Sequence, residues 1–201
     1  MNKVLIWDWP VRLGHWLLAG GFILAWLTSE SETLRLVHAL AGGTVVGVVL
    51  FRIVWGLVGT RHARFASFVR GPAAAIAYLK GLLSGSAAHA SGHNPAGGWA
   101  IIALLTLGLL TGASGWAIYN DMGGEWLEEA HEVLASTMLG VVLLHVAGVI
   151  AGSLAHHENL VRAMLTGLKQ GSSDQAILGA RPLAALVLLG WVTVCAWWLA
   201  R

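Results

Sequence analysis

Apolar residues gather into five long runs separated by polar, charged or glycine-rich stretches. About 20 apolar residues, at a rise of about 1.5 Å each, cross a hydrocarbon core of about 30 Å. The runs extend over about Leu13 to Thr28, Leu36 to Val58, Trp99 to Tyr119, His131 to Gly152 and Pro182 to Ala200. Arg52 interrupts the second near its end, and Pro182 is well placed to open a helix. Between the second and third runs, Pro72 to Leu83 reads as an amphipathic helix lying on a membrane surface. The Gly/Ser/Ala stretch after it reads as a flexible connector. Glu158 to Gly171 places Leu160, Val161, Met164, Leu165 and Leu168 at helical spacing among basic residues, which predicts a second interfacial helix. The pattern as a whole predicts an all-α integral membrane bundle.

Composition agrees. Hydrophobic residues make up 57% of the chain and charged residues 11%, with a mean hydropathy of +0.71. A soluble domain is about one quarter charged, so the expected solvent is lipid. The single Cys195 excludes an internal disulfide and a Cys-x-x-Cys-His haem attachment. Many of the 11 Trp fall near the ends of the apolar runs, where amphipathic rings favour the lipid interface.

Charge placement predicts orientation. Lys3 and Arg12 precede the first run, Arg61, Arg64, Arg70 and Lys80 follow the second, and Arg162, Lys169 and Arg181 follow the fourth. The other side carries Glu30, Glu32, Arg35, Asp121, Glu125, Glu128, Glu129 and Glu132. Lys and Arg on short loops mark the cytoplasmic side. The expectation is a multi-pass protein of the bacterial inner membrane, with a cytoplasmic N-terminus and a periplasmic C-terminus. Nothing in this charge pattern calls for a nucleic-acid partner.

Four of the nine histidines, His15, His38, His131 and His145, lie within or at the ends of apolar runs. Ionisable groups inside a membrane are costly and usually mark function, and neutral imidazole is a good ligand for iron. The alternating direction of the runs puts His15 and His145 toward the cytoplasm and His38 and His131 toward the outside. Each couple could grip one haem between two helices. His131 and His145 are 14 residues apart, about 21 Å of rise and only about 40° short of four full turns. Their imidazoles therefore share one helix face, stacked through the membrane. A di-iron or di-manganese site would need carboxylates in the bundle, which the runs scarcely offer, and zinc would need its four ligands together.

Two kinds of neighbour admit two readings. Gly14, Gly42, Gly43, Gly47, Gly140 and Gly148 suit a flat macrocycle and equally suit close helix packing. Arg12, Arg52 and Arg64 lie near the level of the cytoplasmic haem and could pair with its propionates, or serve as positive-inside anchors. His156-His157-Glu158 reads first as a surface loop, with proton exchange at a quinone site as the alternative.

At this point the chain resembles the prokaryotic cytochrome b561 family, which includes the b-type cytochrome subunits of nickel-iron hydrogenases. Trp7-Asp8-Trp9-Pro10-Val11-Arg12-Leu13-Gly14-His15-Trp16 looks like the family's first-helix signature. Arg52-Ile53-Val54-Trp55-Gly56-Leu57-Val58-Gly59, followed by Ala63-Arg64-Phe65, looks like its signature after the second helix. His93-Asn94-Pro95-Ala96-Gly97-Gly98 looks like its approach to the third. The resemblance covers about residues 5 to 170. It implies two non-covalent b haems on four histidines, at positions matching His15, His38, His131 and His145.

The expected organisation is a four-helix dihaem domain over residues 1–170, then a linker and an additional transmembrane helix over 171–201. The function implied is electron transfer between the quinone pool and a periplasmic partner, such as a c-type cytochrome or a hydrogenase. The alternative is a stand-alone haem oxidoreductase that passes electrons from a small reductant, such as superoxide, to quinone. A haem-free transporter would want broken or polar helices at the midplane, and these runs show little beyond glycine.

Overall fold

The computed structural model of the chain describes residues 2–201. A short strand β1 (Asn2–Leu5) precedes helices α1 (Trp9–Thr28) and α2 (Arg35–Val58). A one-turn helix α3 (Phe65–Phe68) and the helix α4 (Pro72–Leu83) follow, then α5 (Pro95–Tyr119) and α6 (Glu125–Ala155). The chain ends with α7 (Leu160–Thr166), strand β2 (Leu168–Gly171) and α8 (Pro182–Leu199). Among the described residues, α1, α2, α5, α6 and α8 are long and apolar enough to cross a membrane.

Three of these helices begin earlier than hydropathy alone predicts, and polar caps define the starts of two of them. The Asp8 carboxylate accepts the N–H of Val11, and Pro10 fits the first turn of α1. Asn94 does the same for Gly97, with Pro95 opening α5. The α6 helix starts at Glu125, and its acidic first turn complements the helix dipole. His131 therefore lies nearly two turns inside α6 rather than at its start.

The five long helices fall into two packed groups. In the first, α8 lies along α2 and also touches α1. A Cβ on Gly43 would come within 2.8 Å of the Ala196 backbone, and one on Gly47 within 2.9 Å of Cys195. The Trp191 indole donates to the Gly47 carbonyl at 2.9 Å, and Leu188 and Val192 pack on Val48. In the second group α6 runs along α5. Val45 and Val49 of α2 meet Leu105 of α5 and join the groups. By contrast, α6 has little direct backbone contact with α1 or α2.

At the end of the bundle that carries the basic segments, a small cap is built from distant pieces. β1 and β2 pair antiparallel, with Asn2 opposite Gly171 and Leu5 opposite Leu168. The amides of Ile6 and Trp7 donate to Gly167 O, and Ile177 N–H donates to Leu5 O. Gly167 closes α7 in the left-handed region (φ 81°), where a side chain would be strained. The single helix expected over Glu158 to Gly171 is thus a short helix followed by a strand. The strand forms because its partner lies at the far end of the chain, out of reach of any local periodicity.

Candidate functional site

The α2 and α6 helices bring His38 and His131 together near the acidic end of the bundle, with ring centres 6.2 Å apart. His38 Nδ1 donates to the Ala25 carbonyl at 2.9 Å, and His131 Nδ1 donates to the Thr111 carbonyl at 3.1 Å. Ser114 Oγ also lies 3.0 Å from His131 Nδ1. Those carbonyls fix the proton of each ring on Nδ1 and leave Nε2 as the free lone-pair nitrogen. A cavity of about 190 Å³ opens here, lined among others by Thr28, Arg35, Tyr119 and both histidines. Gly115, absent from the glycines singled out above, borders it. A Cβ there would approach His131 Cε1 to 2.9 Å.

His15 on α1 and His145 on α6 lie near the basic end and within electrostatic reach of each other. The Nδ1 of His15 is buried and has no hydrogen-bond partner among the described residues. Gly42 stands one turn from His38, Gly148 lies three residues beyond His145, and a Cβ at either would meet nothing within 4 Å. Gly14, Gly43 and Gly47, in contrast, face neighbouring helices. The small residues therefore divide between open space and helix packing, a division that depends on the direction each one faces.

Arg52 is the most unusual side chain at this level. Both of its terminal guanidinium nitrogens are buried without a partner among the described residues. Its cationic carbon sits 5.0 Å from the Phe65 ring centre and 5.8 Å from that of Phe68. A buried guanidinium is costly unless paired, so this arrangement has room for one more anion. Arg12 covers the Trp9 ring at 4.2 Å and donates to the Leu165 carbonyl, while its Nε is orphaned. Arg64 caps α3 with its backbone and exposes its side chain.

Near Arg52, the cap holds a polar cluster that the surface-loop reading of His156-His157-Glu158 missed. Glu158 and Lys169 are both buried and paired at 3.4 Å. His93 packs between Trp7 and Phe68, with ring centres 4.5 and 4.6 Å away. Burial holds the His93 imidazolium well below its ordinary range, and nearby cations add to the effect. The polar run His156-His157-Glu158-Asn159 gives no local hint of this burial. Among the described residues, no group of three or more His, Cys, Asp or Glu side chains converges on one point, and His38 and His131 stand as a couple.

A bundle of apolar helices that brings the His38 and His131 imidazoles together between them, rings edge-on, has the architecture of a membrane cytochrome. The chain belongs to the prokaryotic cytochrome b561 family, whose model matches residues 6–167. It is accordingly a multi-pass membrane protein of a b-type cytochrome family, with electron transfer as its general activity. The match ends at Gly167, so β2 and α8 lie beyond the matched residues. No curated protein and no solved structure matches the chain.

Proposed function

We propose that this chain binds two non-covalent b haems, one between His15 and His145 and one between His38 and His131. The observation that carries this reading is the His38–His131 couple. Two imidazoles on opposite sides of one metal ion, each bonded at about 2.0–2.1 Å, put their ring centres roughly 6 Å apart. The 6.2 Å separation, with each Nδ1 committed to a carbonyl or hydroxyl, fits that arrangement. The 14-residue spacing on α6 then stacks the second site below the first. The slot between α6 and the α1–α2 pair, and the orphaned nitrogens of Arg52, suit a flat ring bearing carboxylates.

Haem b supplies a one-electron iron couple, with a potential that depends on its axial ligands, burial and hydrogen bonds. The chain's own residues do the rest. His38 and His131 are oriented by Ala25, Thr111 and Ser114, and His131 gains basicity by donating its one Nδ1 proton to the Thr111 and Ser114 acceptors. Arg52 would hold a propionate by a charge-assisted fork, with Arg12 at the same level and Arg64 at its margin. The apolar faces of the helices keep water from the space between the two sites.

We take the basic end as cytoplasmic, following the distribution of Lys and Arg. Electrons then pass between the quinone pool and a periplasmic partner such as a c-type cytochrome or hydrogenase. The carboxylates at the acidic end, among them Glu125, Glu128, Glu129 and Glu132, favour a basic protein partner there. The same field opposes an anionic substrate, which weighs against superoxide as the reductant.

The test is a reduced-minus-oxidised spectrum with haem quantification on the wild type and on four alanine variants, at His15, His38, His131 and His145. Two haems are expected in the wild type, with loss of at least one in each variant. Full haem content in any variant removes that histidine from the ligand set.

A further inference from the structure

The cluster in the basic-end cap has a connectivity that a static ion pair does not require. Glu158 is bound through both carboxylate oxygens. Oε1 accepts the Gln170 N–H at 2.8 Å. Oε2 lies 3.4 Å from the His89 ring and 3.4 Å from the Lys169 ammonium. A single oxygen thus stands between a half-exposed imidazole and a buried amine, since His89 is 42% exposed and Lys169 only 4%. Lys169 also donates to the Ala90 carbonyl at 2.9 Å, which fixes its position.

The cluster adjoins His93, whose ring packs on Phe68, the side chain that Arg52 also covers. His93 lies within electrostatic reach of Lys169, Arg52 and His145. The other titratable groups around the cluster are His62 from the segment after α2 and His156 after α6, the latter 3.3 Å from Tyr78 of α4. His93 is thus in reach of both Lys169 and His145, and links the field of the cluster to that of the His15–His145 level.

We propose that His89, Glu158 and Lys169 form a proton-exchange site coupled to the electron carried between His15 and His145; the proposal rests on the haem reading above. Lys169 Nζ takes up one proton when one electron is added at that site. The proton comes from bulk water through the His89 imidazole and Glu158 Oε2. When the electron leaves for its acceptor, the proton returns to water by the same route. The balance is one electron and one proton in, then one electron and one proton out. Burial supports the assignment: it lowers the Lys169 ammonium below its ordinary value, while the Glu158 carboxylate partly restores it.

The experiment is a spectroelectrochemical titration of the full haem-loaded chain between about pH 6.5 and 9, following the α-band. One of the two midpoint potentials is expected to fall as pH rises, by at most about 59 mV per pH unit for one proton and one electron. Lys169→Arg keeps a cation at the ion pair but cannot release its proton, so that potential should become pH-independent. If Lys169→Arg loses haem, the paired substitution Glu158→Gln with Lys169→Met removes both charges together and should give the same flat response. His89→Ala should leave the equilibrium slope intact and slow the response to a pH jump several-fold. An unchanged rate would remove His89 from the route. A wild type with two flat potentials, or a haem-replete Lys169→Arg with the wild-type slope, would overturn the proposal. A wild type with fewer than two haems would instead overturn the two-site reading, and this proposal falls with it if the remaining haem survives His15→Ala.

Discussion

Asp8, at the start of α1, accepts the indole N–H of Trp55, near the end of α2, at 3.0 Å. The same Oδ2 accepts Thr60 Oγ1 at 2.6 Å, while Oδ1 caps α1 through Val11. One fully buried carboxylate thus fixes α1 to α2 at the basic end. Asp8→Ala removes a cap worth about 1 kcal/mol and leaves two buried donors unsatisfied at about 1–3 kcal/mol each. A large fall in thermal stability is expected, measured by the loss of helical signal on heating. Asp8→Asn, which keeps the acceptor Oδ1, should lose clearly less.

At the other end of the bundle, Gly115 leaves room for the His131 ring. Gly115→Val should displace that imidazole and eliminate one haem, with helical content unchanged. Ser114→Ala removes only one partner of His131 Nδ1, and the Thr111 carbonyl remains. Loss of such an outer partner typically weakens metal affinity about 10–100-fold. Ser114→Ala should therefore bind two haems at saturation and release one sooner on dilution. Haem titration of the two variants side by side checks both outcomes.

Arg52 should matter to haem retention more than to folding. Arg52→Met removes a guanidinium with no protein partner and keeps the packing against Phe65 and Phe68. The apoprotein should be as stable as the wild type or more so, whereas the affinity of one haem should drop. An equal loss of stability in both apo and haem-loaded forms would mean that the side chain supports the helices alone.

The basic-end cap should loosen in acid. His62 Nε2 donates to the Gln175 carbonyl at 2.7 Å. Burial lowers its pKa below the ordinary 6.5, the Gln175 bond partly offsets this, and Arg61 and Lys169 lower it further. The folded cap therefore favours neutral imidazole, and the unfolded segment binds protons first as pH falls. Stability contributed by neutral His62 is present above pH 6.5 and is lost as pH drops below it. Protection of the amides over residues 173–177, relative to their intrinsic exchange rates, should fall between pH 7 and 5, and His62→Gln should blunt the change.

Helix number, helix positions and the α4 segment were legible because lipid imposes a long apolar period and each span satisfies its own backbone. The approach of His38 to His131 was legible as a matched depth, since rise per residue converts position into height. The features that escaped depend on distant partners. β2 is a strand because of β1, and Glu158 is buried because Lys169 and the Gln170 amide receive it. Gly43 and Gly140 are the same residue type in the same setting, yet one meets Ala196 and the other nothing. The early starts of α1 and α5 were written in Asp8-Trp9-Pro10 and Asn94-Pro95, but a count of apolar residues passes over such caps.

The close seat of α8 against Gly43 and Gly47 makes that contact intolerant of bulk. Gly47→Leu should lower stability by about 1–3 kcal/mol through overpacking, whereas Gly190→Ala, which meets nothing within 4 Å, should be close to neutral. Thermal denaturation compares the two.

That seat also restricts how the chain can be joined by other membrane proteins. The flank of α2 where two backbones can approach most closely is already filled by the chain's own last helix. A foreign helix cannot take that position without first prising α8 away. Lateral assembly must therefore use the remaining sides of the bundle, and a redox partner in water meets the chain at its ends.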